Sequence, residues 1–190
     1  KGYLEKLIAQ VFTGRERFEP GNPQEGYSPS PQERQSWLQI SYMKEAYHTM
    51  GPKFTLGWMA ESTVFVEKFS ENYTATMMQA GEFAPTPHSK LMYNEAFRAN
   101  QYVAAGIKPI YVLNDMFQFR TEFYGFTPIF PIKKNALNKA YYGKAFSRFE
   151  YMGEVSVICH LPFGAISAYV NHYSSPRREW NVGMTIGWQL

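Results

Sequence analysis

Aspartate occurs once in these 190 residues, at Asp115, and cysteine once, at Cys159. A single cysteine excludes an internal disulfide and a cysteine-built zinc site. Within a strand pattern it reads as a small hydrophobe rather than a reactive thiol. With Asp115 in an expected tight turn, a serine–aspartate dyad has little to work with. There is no Gly-x-Ser-x-Gly elbow, no glycine-rich phosphate loop and no His-Glu-x-x-His. His48, His88, His160 and His172 show no ligand spacing and read as strand-rim or loop residues. The sequence therefore names no catalytic, cofactor-binding or metal-binding residue. No apolar run reaches the ~18 residues of a transmembrane helix, which excludes that span and leaves a β-barrel open. A net charge of +3, evenly spread, does not argue for nucleic acid. The start at Lys1, without methionine or an apolar signal core, reads as a processed or truncated edge.

What is abundant is aromatic. Fourteen tyrosines and fifteen phenylalanines help bring aromatics to 17% of the chain. Such residues suit strands and also gather at membrane interfaces. The last eleven residues alternate without a break. Trp180, Val182, Met184, Ile186, Trp188 and Leu190 are large and apolar; Asn181, Gly183, Thr185, Gly187 and Gln189 are small or polar. Successive strand side chains point to opposite faces, so this segment is a strand with one apolar face and one slim polar face. A membrane barrel would turn the apolar row toward lipid, whereas a soluble sandwich or barrel would turn it inward.

Further strands are expected at Trp37 to Tyr47, Lys53 to Phe69, Asn72 to Phe83, Gln101 to Leu113, at Phe117 through Phe123 with a far end carrying Pro128 and Pro131, at Ala145 to Leu161 and at Ala165 to Tyr173. With Trp180 to Leu190 these make eight, all able to pair as antiparallel neighbours. Residues 37–190 thus read as one all-β region. Residues 1–36 form an amino-terminal segment, with Lys1 to Phe12 either helix or strand before a long polar loop. Short turns at Ser70-Glu71, Asn114-Asp115 and Leu161 to Gly164 alternate with long connections at Ala84 to Asn100 and Lys133 to Lys144. Short turns on one rim and long loops on the other are the habit of outer-membrane barrels. Met50 to Pro52 and Thr13 to Gln35 break that alternation.

Charges of matching parity mark one face: Arg120 and Glu122 on one strand, Arg148, Glu150 and Glu154 on the next. Such residues can pair across strands to fill a barrel lumen, or form an ordinary solvated sheet face. Nothing nearby suggests that Glu150 and Glu154 act as paired catalytic carboxylates. Trp37, Tyr42, Tyr47, Tyr141, Tyr142, Tyr169 and Tyr173 lie near strand ends. They read as an interface belt, a carbohydrate- or lipid-binding surface, or core packing.

Several spaced words add a resemblance: Asn72-Tyr-Thr-Ala-Thr76, Phe83-Ala-Pro-Thr-Pro-His-Ser89, Asn94-Glu-Ala-Phe-Arg-Ala-Asn100, Phe149-Glu-Tyr-Met152, Leu161-Pro-Phe-Gly-Ala-Ile-Ser167 and Asn171-His-Tyr-Ser-Ser-Pro176. Residues 37 to 190 resemble the carboxyl-terminal, surface-antigen-like β-barrel region of a bacterial patatin-like phospholipase family. That resemblance implies an antiparallel up-and-down transmembrane barrel, or its carboxyl-terminal half, in a Gram-negative outer membrane. It would anchor, and help export or position, a covalently linked serine lipase domain absent from this chain. Its partners would be membrane lipids and that domain, and a homo-oligomer is compatible with the reading. No catalytic residue carries over, because the lipase motifs do not occur here. Two rivals remain open: a soluble β-barrel holding a lipid or other small apolar ligand, and a hydrolase with an unrecognised site.

Overall fold

The computed structural model describes residues 2–15, 34–175 and 180–188, with the side chain of Trp188 outside that description. Among the described residues ten strands follow in order: β1 (Gly2–Arg15), β2 (Arg34–Thr49), β3 (Phe54–Val66), β4 (Gln101–Val112), β5 (Phe117–Pro128), β6 (Ile132–Lys134), β7 (Ala140–Tyr142), β8 (Glu150–Leu161), β9 (Gly164–Tyr173) and β10 (Trp180–Trp188). Eight of them form one antiparallel sheet in the order β1-β2-β3-β4-β5-β8-β9-β10, while β6 and β7 make a separate hairpin. Every neighbour in the large sheet is also the next of its strands along the chain, an up-and-down meander. The sheet is not closed into a barrel; β1 and β10 are its two edges.

The ambiguous amino-terminal segment is a strand, paired with β2 from Gly2↔Tyr47 to Arg15↔Arg34. Asn72 to Phe83 is not one. Residues Tyr73–Gln79 form the helix α1. The Asn72 side chain caps it by accepting from the Ala75 N–H at 2.8 Å, satisfying an amide that the first turn leaves unpaired. Thr76 bonds back to the Asn72 carbonyl at 3.1 Å and accepts from the Ser70 amide at 3.0 Å. These local bonds outweigh the strand preference of Tyr73, Thr74 and Thr76. Ser70-Glu71 is accordingly no hairpin turn, but the start of a connection running from residue 67 to residue 100. The strand expected from Ala145 begins only at Glu150.

Removing one strand and adding another reverses the parity of the connections. Residues 50–53, 113–116 and 162–163 are short and share one rim. Residues 67–100 and 129–149 connect strands at the other, while 16–33 and 176–179 lie outside the described residues. One apparent exception, Met50 to Pro52, falls into line; of the other, Thr13 to Gln35, the ends belong to β1 and β2 and residues 16–33 lie outside the described residues.

The long connection 67–100 folds back over one face of the sheet and makes the core there. Phe83, 1% exposed, has its ring centre 6.2 Å from Tyr102, 5.9 Å from Tyr124 and 5.9 Å from Phe126. Phe97 lies 5.7 Å from Phe126 and 6.0 Å from Tyr173. Met59, Ala104 and Met152 complete this cluster from the sheet side. Above it, α1 packs Met77 and Ala80 against Ile132 of the β6–β7 hairpin.

Candidate functional site

The period of two gives the sheet a covered face and a bare one. Cross-strand register shows how each is built. One register row on the bare face runs Tyr3, Ala46, Trp58, Ile107, Phe123, Gly153, His172, Trp180 across all eight strands. Another runs Phe54, Tyr111, Phe119, Val157, Ala168, Met184. On β10 the expected apolar row lies on this face: Val182 is 80% exposed, Met184 64% and Ile186 57%, with Trp180 beside them. Trp188 closes the strand, and Leu190 lies outside the described residues. Apolar patches of this extent are rare on soluble monomers and mark surfaces that meet a partner or a membrane.

That wall slants against the register. On β1 the apolar stretch is Leu7, Ala9 and Val11, between Glu5 and Thr13. On β2 it is Leu38, Ile40 and Tyr42, between Ser36 and Lys44, with Ala9 opposite Ile40. Its centre, Ala9, lies six residues from Tyr3 of the Trp58 row, toward the long connections. On β10 the described apolar side chains, Trp180 to Ile186, centre three residues from Trp180 of the same row, toward the short turns, and Trp188 continues the row in sequence. Over the described side chains the band thus shifts by at least about nine residues in seven strand-to-strand steps. With ~3.3 Å per residue and ~4.8 Å between strands, a level band requires strands tilted by about 40°.

The covered face carries the polar residues. Lys108 forms an ion pair with Glu45, to which Tyr47 also donates at 2.6 Å. Arg120 Nε meets Glu122 Oε1 at 2.8 Å, and Tyr124 Oη donates to Glu122 Oε2 at 2.6 Å. Arg148 lies 4.0 Å from Glu150. The expected pairing across strands is not formed: Arg120 and Arg148 each meet the glutamate two residues on, because the register sets Glu122 opposite Glu154 and Glu154 opposite Asn171. Glu122, Glu150, Glu154 and Asn171 are all buried. A polar pocket of about 250 Å³ opens between Lys6, Ser41, Glu61, Glu82 and Tyr102. Tyr102 Oη donates there to Glu61 at 2.5 Å and lies 3.1 Å from the Glu82 carbonyl. His88 Nδ1 lies 2.9 Å from Tyr173 Oη, fastening the long connection to β9; burial pushes the His88 imidazole below its ordinary range.

Of the aromatic residues expected near strand ends, Tyr42 alone lies on the bare face. Tyr47 lies over Gly57 on the covered face, where Tyr169 and Tyr173 are also buried. Trp37 stacks on Phe12, 5.6 Å between ring centres. Tyr141 and Tyr142 belong to the β6–β7 hairpin, with Tyr142 against Phe69 at 4.5 Å. Sequence reasoning missed Glu45 and Lys108, whose partnership needs the three-strand register that sets Lys108 beside Gly57 and Tyr47.

At the long-connection rim, Glu67 stands beside Asn100, whose amide donates to Tyr142 Oη at 3.0 Å. Burial pushes the Glu67 carboxyl up to about 7, with the Asn100 contact pulling the other way. Burial also lowers the Arg148 guanidinium, against the raising effect of Glu150.

Among the described residues no cluster of three or more His, Cys, Asp or Glu could hold a metal ion. No described helix is long and apolar enough to cross a membrane, which says nothing of strands. No protein-family model matches the chain, and no curated protein or solved structure does either.

Proposed function

We propose that this chain is wall of a transmembrane β-barrel in a bacterial outer membrane, its bare face toward hydrocarbon and its covered face toward the lumen. The slanted apolar band carries the reading. A tilt of ~35–45° is that of outer-membrane barrels, and the band becomes level at about that angle. An exposed apolar exterior over a charged, tyrosine-rich interior is the reverse of a soluble barrel. Short turns confined to one rim agree with the same family of architectures. In hydrocarbon, the unpaired backbone of β1 and β10 demands closure by further strands. The lumen-side segment 67–100 then partly fills the interior.

The second half of the proposal rests on the resemblance: the barrel anchors, and helps export or position, a patatin-like lipase domain elsewhere in the same polypeptide. This chain supplies no catalytic group to that chemistry.

Detergent extraction followed by electrophoresis with and without boiling tests the membrane reading. The expected result is extraction only with detergent and a heat-dependent change in migration. A protein that dissolves without detergent and migrates alike in both lanes would sink it. Ester hydrolysis by the whole polypeptide, but not by this chain, tests the lipase half.

A further inference from the structure

An apolar groove of about 470 Å³ crosses the bare face, floored by Ala60, Ser62, Ala105 and Gly125 and walled by Tyr42 and Phe149. It falls within the ~300–1,000 Å³ of ordinary ligand sites. Its floor is a register row: Ala60 opposes Ala105, and Ala105 opposes Gly125. Phe149 leans over the far end, close enough that a Cβ on Gly125 would meet its ring at 3.0 Å.

The near end is charged. Lys44 opposes Ala60 in the same row, and Glu5 opposes Lys44. Lys44 Nζ lies 3.8 Å from Glu5, and Tyr42 Oη donates to Glu5 at 2.6 Å. Both charged side chains are partly exposed and point to the bare face, where the slant of the band puts them at the short-turn border of the hydrocarbon. One positive and one negative group at a membrane border, heading an apolar trough, complement a zwitterionic lipid head above an acyl chain. Lys44 matches a phosphate. Glu5 matches a primary ammonium, to which a carboxylate can accept hydrogen bonds as it cannot from a quaternary one.

We infer that this groove seats one phosphatidylethanolamine-type lipid as a structural ligand, its acyl chain along Ala60–Ala105–Gly125 and its head on Lys44 and Glu5. The inference rests on the membrane reading above and adds a defined lipid partner to it. The lipid is wall packing, remote from any ester chemistry.

The test incorporates the whole polypeptide, with the strands that complete the wall, into bilayers of equal parts phosphatidylethanolamine, phosphatidylcholine and phosphatidylglycerol, then weighs the released protein by native mass spectrometry. Insertion is confirmed first by heat-modifiable migration, so failure to insert counts against the membrane reading and is distinguished from failure to bind. The expected result is one retained lipid, enriched in phosphatidylethanolamine about fivefold or more over the bulk. Ala105→Leu, which fills the trough from an exposed position, abolishes retention, while Val157→Leu on the same face leaves it intact. Glu5→Gln with Lys44→Gln keeps a lipid but loses the head-group preference. Retained lipids that mirror the bulk mixture would overturn the inference. So would retention unaffected by Ala105→Leu, or a dimer mass that Ala105→Leu removes, which would assign the groove to a second copy.

Discussion

The ring of Tyr124 lies against Gly106, its register partner on the neighbouring strand, so closely that a Cβ there would stand 2.1 Å from the ring. The carbonyl of Phe123 lies 2.7 Å from the same point, and backbone cannot step aside as a flexible side chain can. Tyr47 over Gly57 and Tyr169 over Gly183 repeat the relation on other strand pairs. Glycine leaves room for each ring to lie along the covered face instead of projecting from it. Gly106→Ala is therefore expected to cost ~1–3 kcal/mol by overpacking. Gly153→Ala, with its nearest atom 3.6 Å away, should be tolerated. Urea unfolding of the bilayer-inserted protein compares the two, and equal midpoints would refute the packing argument.

Charge placed on the bare face should be penalised by depth on each strand, not by register row. Met184→Arg and Ile40→Arg both fall within the slanted band and are expected to cost ~2–4 kcal/mol, whereas His48→Arg, beyond its short-turn border, costs ~0–1. Folding into lipid vesicles measures all three. Equal penalties would remove the tilt argument.

Phe83 fixes the long connection to the sheet through three rings. Its replacement by alanine is expected to cost ~3–5 kcal/mol. Hydrogen exchange should show protection lost over residues 67–100 while β8–β10 keep theirs. Uniform loss across both would mean that the connection and the sheet fold as one unit.

Glu67 makes the rim sensitive to pH. Its folded pKa, about 7, lies above the ordinary carboxylate value of 4.5 because burial favours the neutral acid. At pH below about 4.5 both folded and unfolded forms are protonated and the group is silent. As pH rises from there to about 7, only the unfolded form gains by ionising, so stability at this site falls and then levels off. Exchange at residues 65–69 and 140–142 should quicken over that interval, and Glu67→Gln should flatten the response. An unchanged profile in that variant would show that another group titrates.

Which face each strand residue takes was legible, because alternation needs nothing beyond neighbouring residues. Phe119 and Phe123 stand opposite Arg120 and Glu122 as their parity demands, and so do Val155 and Val157 against Glu154 and Ser156. Partnership was not legible, since it needs register. Glu122 meets Glu154 across the strands and finds its cation, Arg120, on its own strand. The stretch from Asn72 misled for a different reason. Tyr73, Thr74 and Thr76 favour strands, but a seven-residue helix is decided by its cap and by what covers it. Asn72 three residues before Ala75 was the available signal. Reading it would also have repaired the alternation of short and long connections.

β1 and β10 run in opposite directions, because eight strands of a meander separate its margins by an odd number of reversals. Whatever completes a continuous antiparallel cylinder must therefore contribute strands in multiples of two. A single borrowed strand would be forced to lie parallel to one margin. The strands that complete it have to come in even number.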